Sequence, residues 1–126
     1  MASPATVLVV DDDSDDRALA VDILGDEGFA VVEAQNGRVA LDYLLGAPVL
    51  PGLILADLNM PVMTGWEMIT VARSYLRFSN LPIVVVTGES ARTPLLDQFR
   101  VSRLLKPYQP DDLLAIVRAH VRPEKI

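Results

Sequence analysis

Three apolar runs and one short strand-like segment in this 126-residue chain each stop on a residue that can do chemistry. Thr6-Val7-Leu8-Val9-Val10 is followed by Asp11, Asp12 and Asp13, and Leu53-Ile54-Leu55-Ala56 by Asp57. Ile83-Val84-Val85-Val86 runs into Thr87, and Ser102-Arg103-Leu104-Leu105 into Lys106. Taken alone, Asp57 could be a metal ligand, a nucleophile, or a cap for the turn that leads to Pro61. The four together say more. Carboxylates brought side by side repel one another and resist ionising unless a cation neutralises them. With oxygen donors only, and no His or Cys beside them, the expected cation is Mg²⁺, with Mn²⁺ as the substitute. Thr87 and Lys106, a hydroxyl and an ammonium, complement the oxygens of a phosphoryl group. The constellation describes an aspartate that accepts a phosphoryl group, provided the fold gathers the four places.

The elements between those residues are what would gather them. Short, continuous apolar runs read as strands buried on both faces, as in a parallel sheet covered by helices. Ala30-Val31-Val32-Glu33 adds a fifth such strand. Between the strands lie helical patterns. The first starts at Ser14 or Asp15, carries Leu19, Ala20, Ile23 and Leu24 on one face, and ends at Gly28. The second opens at Asn36-Gly37 with Ala40, Leu41, Leu44 and Leu45 inward, and Pro48 to Gly52 is a loop. The third runs from Gly65 to about Tyr75, with Ile69, Ala72 and Leu76 inward. A short fourth starts with Thr93 as cap and Pro94 at the first position, reaching about Arg100. The last begins near Pro110, with Asp111 and Asp112 at its positive end and Leu113, Leu114, Val117 and Val121 as its stripe. Five alternations predict a flavodoxin-like, doubly wound, five-stranded parallel sheet of order 2-1-3-4-5, with helices on both faces. In that order the first and third strands are neighbours at the switch point, so their terminal carboxylates meet.

Composition narrows the class. The length suits one domain over residues 1–126, and 51% hydrophobic residues promise a real core. No cysteine occurs, which removes disulfides and thiolate metal sites. A net charge of −6 offers no nucleic-acid footprint. The apolar runs fall short of a membrane span and no signal-peptide pattern precedes them, so a cytoplasmic protein is expected. Five acids crowd between Asp11 and Asp16, whereas Lys106 and Lys125 are the only lysines.

At this point the chain resembles, over nearly its whole length, the response-regulator receiver domains of bacterial two-component signalling, in the manner of the chemotaxis regulators. The matching blocks are Val9-Val10-Asp11-Asp12-Asp13, Asp57-Leu58-Asn59-Met60-Pro61, Val86-Thr87-Gly88 and Lys106-Pro107, in order and spacing. That resemblance implies Asp57 as phosphoacceptor, Mg²⁺ bound directly by Asp12 and mainly through water by Asp11, and the Asn59 main-chain carbonyl completing the ligands. It implies Thr87 and Lys106 on phosphoryl oxygens, a cis Lys106-Pro107 bond, and a histidine kinase or phosphotransfer protein as phosphodonor. The protein would then be no enzyme in the multiple-turnover sense: it would catalyse its own phosphorylation and dephosphorylation. With no room for an output domain, it would act through a partner or belong to a longer protein. Three departures stand out. Arg103 occupies the place of the family's switch aromatic, Thr64 that of the aspartate in Met-Asp-Gly, and the Thr87-to-Lys106 segment is short. Arg103 is expected to point outward, near Asp111 or Asp112, leaving output to the Thr87-to-Pro94 loop with Gly88 and Ser90.

Other readings were open to the same residues. A phosphohydrolase of the haloacid-dehalogenase type needs a second aspartate two places after the nucleophile, and Asn59 stands there. Asp11, Asp13 and Asp15 imitate the start of a calcium loop, but Asp16 replaces its glycine and a strand precedes it. A phosphorylation-independent interaction domain on the same fold is the rival that only chemistry can separate. His120 reads as a surface residue, Trp66 as cover for the third helix, Met60 and Met63 as packing, and Glu89 as part of the site's rim.

Overall fold

The computed structural model describes residues 6–88 and 94–122. Five parallel strands, β1 (Thr6–Val10), β2 (Ala30–Ala34), β3 (Leu53–Asp57), β4 (Ile83–Thr87) and β5 (Ser102–Leu105), form one sheet in the order β2-β1-β3-β4-β5. β1, β3 and β4 are buried along their whole length, as continuous apolar runs in a doubly covered sheet should be. Alternate side chains go to opposite faces. Leu8, Val10, Ile54, Ala56, Ile83 and Val85 meet helices α2 (Gly37–Gly46), α3 (Gly65–Ser74) and α4 (Pro94–Gln98). Val7, Val9, Leu53, Leu55, Val84 and Val86 meet α1 (Ser14–Asp26) and α5 (Pro110–Arg118).

Local chemistry sets the helix ends. The cap of α1 is Asp13, not Ser14 or Asp15, because its backbone is extended and its Oδ1 accepts the N–H groups of Asp15 and Asp16. Gly28 supplies the left-handed residue beyond the helix, with φ 87°. Asn36 caps α2 by accepting the Val39 N–H. Thr64, where the family's aspartate was expected, caps α3 equally well: its Oγ1 accepts the Glu67 N–H, and Glu67 accepts the Thr64 N–H in return.

Several inward-facing assignments need correction. Leu19 and Leu45 are exposed, and Leu76 is 91% exposed. The third helix stops at Ser74, and a 3₁₀ turn over Leu76–Phe78 rotates the chain so that Phe78 is buried in place of Leu76. Val121 is buried but lies past the end of α5, as does exposed His120. α4 is only five residues long, ending at Gln98 and not at Arg100, whose φ of 55° breaks the helix. Trp66 packs on Phe99 at 6.2 Å between ring centres, joining α3 to the end of α4. Thr93, Glu89 and Ser90 fall outside the described residues.

Candidate functional site

The strand register brings the chemistry together. Val10 pairs with Ala56, so Asp11, one residue on, comes level with Asp57. Asp57 pairs with Val86 and Thr87 with Leu105, which leaves Thr87 and Lys106 at the same sheet edge. Asp11, Asp57 and Thr87 are all buried, whereas Asp12 and Asn59 are exposed. The Lys106 N–H donates to the Thr87 carbonyl at 2.8 Å, and the Lys106-Pro107 bond is cis.

Among the described residues a single ammonium faces these acids. Lys106 Nζ donates to Asp57 Oδ2 at 3.2 Å and lies 3.9 Å from Asp11 Oδ2. Burial alone would lower the Lys106 pKa, but Asp57 and Asp11 outweigh it and hold the ammonium above the ordinary lysine value. Asp11 is pushed up to about 6, chiefly by burial, with the Asp57 and Asp16 charges adding to it and the Asp13 N–H and Lys106 opposing. One further acid enters that the sequence reading left as a solvated helix start. Asp16 Oδ2 accepts from Lys106 Nζ at 3.3 Å. Nothing in a run of five acids marks one of them as facing a lysine 90 residues away.

Asp11, Asp12 and Asp57 each offer a carboxylate oxygen within 4.8 Å of the others. An octahedral Mg²⁺ shell with bonds of about 2.0–2.1 Å spans roughly 4 Å, so small side-chain shifts would close these donors around the ion. All three donors are oxygens, which suits a hard cation. A carboxyl held near 6 by burial and like charge is also an acid still in want of a counter-charge. The donor set fits magnesium.

Around Asp57 the loop is tightly built. The Asn59 N–H donates to Asp57 Oδ1 at 3.1 Å, and the Gly65 N–H to the Leu58 carbonyl at 3.0 Å. A Cβ on Gly65 would lie 2.6 Å from the Asp57 carbonyl oxygen and 2.8 Å from Leu58 Cα, so only glycine permits this approach. Val62, 80% exposed, holds φ 68°, an uncommon conformation for a β-branched residue. Arg17 backs the site from α1, its guanidinium donating to the Asp11 carbonyl at 2.7 Å and to Glu33. Beside the acids a cleft of about 310 Å³ runs between α1 and the Lys106-Pro107-Tyr108 segment, with Leu19, Leu55 and Val86 also among its walls. Arg103 is half-buried, not fully outward, and lies opposite Val85 in the β4–β5 register. Asp112 Oδ2 accepts the Gln109 N–H. The calcium-loop alternative fails here, because Asp13 is spent on capping α1.

Residues 7–118 match the family model described as the response regulator receiver domain. A two-component response regulator of rice, ORR5, is 36% identical over 110 residues, 85% of this chain and 81% of the relative. The sensor histidine kinase CheAY of Helicobacter pylori is 32% identical over 121 residues, 94% of this chain but 15% of its own length. Among solved structures, the chemotaxis protein CheY4 of Vibrio cholerae is 33% identical, with a TM-score of 0.80 over 93% of this chain and 98% of that one.

Proposed function

Since the chain belongs to the response-regulator receiver family, we propose that it is a phosphorylation-controlled signalling switch whose acceptor is Asp57. The observation that carries this reading is the single ammonium of Lys106 bonded to Asp57 beside the Asp11, Asp12 and Asp57 oxygens. Asp57 presents a buried carboxylate fixed at Oδ1 by the Asn59 N–H, leaving Oδ2 directed at Lys106. That oxygen attacks the phosphorus of the donor, and the bond to the donor's leaving group breaks in line with it. Lys106 follows the charge onto a phosphoryl oxygen, and the Thr87 hydroxyl donates to another. Asp11, Asp12, Asp57 and the Asn59 carbonyl would hold Mg²⁺, which supplies neutralisation of the charge that gathers on the transferred oxygens.

The donor is a histidine kinase or a phosphotransfer protein acting in the cytoplasm, and hydrolysis of the acyl phosphate returns the protein to rest. Histidine kinases occur among the relatives themselves, as in CheAY. The downstream partner is a protein reached through the surface that phosphorylation alters.

Incubation with acetyl phosphate and Mg²⁺, read by intact mass, tests the reading. One phosphoryl group should be added, and neither Asp57→Asn nor chelated wild type should gain it. Equal modification of Asp57→Asn would remove Asp57 as acceptor. No modification of wild type would favour a phosphorylation-independent interaction domain.

A further inference from the structure

We propose that Asp16 is a resident competitor for Lys106, one that restrains the entry of a phosphoryl group. The proposal rests on the reading of Asp57 as acceptor and Lys106 as the phosphoryl counter-ion. Lys106 Nζ stands 3.3 Å from Asp16 Oδ2 and 3.2 Å from Asp57 Oδ2, so the ammonium is shared almost evenly between an acid of the acceptor strand and an acid of α1. Asp16 is not occupied with capping its helix, since Asp13 does that and Asp16 contributes only its N–H. Among the described residues its carboxylate has no partner other than Lys106.

The exposure of the pair decides which role it can fill. The Asp16 side chain is 51% exposed and that of Lys106 29%. A half-exposed ion pair is weak and is broken at small cost, which suits a competitor and does not suit an anchor. Lys106 has the buried Asp57 to hold it already. What Asp16 adds is negative charge at a place that already carries Asp11, Asp12 and Asp57 against one ammonium. A phosphodonor is itself an anion, so that added charge opposes its approach and draws Lys106 toward α1. The same charge favours a cation. Asp16 therefore acts in opposite directions on the two ligands of the site.

That opposition is the test. Asp16→Asn keeps the shape and removes the charge, and Asp16→Glu keeps the charge. At saturating Mg²⁺, Asp16→Asn should bind the phosphoryl mimic beryllofluoride about three- to five-fold more tightly, the ratio expected for an exposed ion pair. Phosphorylation by acetyl phosphate should quicken to a similar degree. Mg²⁺ alone, followed by calorimetry, should bind more weakly to Asp16→Asn. Asp16→Glu should stay near wild type in all three measurements. A general loosening of the site would weaken both ligands together. Weaker beryllofluoride binding by Asp16→Asn would overturn the proposal and make Asp16 a residue that aligns Lys106. Unchanged binding of both ligands would overturn it as well, leaving the pair a bystander. A wild type that takes no phosphoryl group would sink the functional reading and this inference with it, a failure visible before any variant is compared.

Discussion

The two edges of the sheet handle charge in opposite ways. At the carboxyl edge, among the described residues, Asp11, Asp12, Asp16 and Asp57 face one ammonium, and the Asp57 and Asp16 charges add to the burial that chiefly raises the Asp11 pKa. At the amino edge three guanidiniums, those of Arg73, Arg77 and Arg100, are matched by main-chain carbonyls. Arg73 on α3 donates to the carbonyls of Phe99, Phe78, Leu81 and Arg100, just ahead of β4 and β5. Arg77 donates to Leu44 and Ala47 at the end of α2, and Arg100 to Ser79. Burial, with the Arg100 charge second, lowers the Arg73 pKa, yet guanidinium stays charged at any working pH. The contrast is between a charge that waits for a ligand and charges already consumed by hydrogen bonds. Function needs the first kind and stability the second, and the parallel sheet keeps them a strand's length apart.

The sharpest way to break this comparison is at the amino edge. Arg73→Ala takes a donor from four carbonyls, of which that of Phe78 keeps the Leu81 N–H, so urea unfolding should show a loss of about 3 kcal/mol, with Mg²⁺ affinity unchanged within about two-fold. A large fall in Mg²⁺ affinity would mean that the two edges are not independent. Gly65→Ala comes next. Its Cβ pushes on the Asp57 carbonyl and Leu58, which should cost about 1–3 kcal/mol. Because the displaced backbone is that of Asp57, the proposed acceptor, phosphorylation should also slow by on the order of 10- to 100-fold, against a full stoichiometry at long times.

The carboxyl edge is predicted to respond with the reverse sign. Asp11 has its pKa raised from 3.8 to about 6, so between those values the folded state holds the proton and the unfolded state releases it. Without metal, the Asp11 contribution to stability is therefore greatest below about pH 4, falls as pH rises toward 6, and is level beyond it. Asp11→Asn should accordingly raise the metal-free melting temperature at pH 7 while weakening Mg²⁺ binding. Wild-type Mg²⁺ affinity should decline as pH drops through about 6, where protons compete for the ligand. A variant less stable than wild type at pH 7 would show that Asp11 is structurally required. The smallest effect belongs to the strained loop. Val62→Asn accepts the left-handed backbone more readily, so a gain of up to about 1 kcal/mol is expected, measured by the same denaturation, with no change in Mg²⁺ binding.

Much of this arrangement could be read from residue order. Runs such as Leu53-Ile54-Leu55-Ala56 have no polar face, so they had to be central strands, and their ends had to share an edge. Asp11, Asp57, Thr87 and Lys106 were legible because each stands at the end of a strand, and Asp12 because it comes next after Asp11. Asp16 was not, since its closeness to Lys106 depends on how the first turn of α1, capped by Asp13, lies against a residue 90 positions away. Leu19 and Leu76 were misread for a related reason: an apolar residue was assumed to face inward, whereas one flanks the cleft and the other tips a 3₁₀ turn. Arg73 was overlooked because its partners are carbonyls, which every residue carries and no pattern of side chains can announce.

The hydrogen bond from the Lys106 N–H to the Thr87 carbonyl has a mechanical side. It rivets the free ends of two adjacent strands, so a pull on either residue is borne by both. Past Lys106 the chain runs through Pro107 and Tyr108 to the first turn of α5, so Thr87 is tied by one hydrogen bond to the segment that leads into that helix.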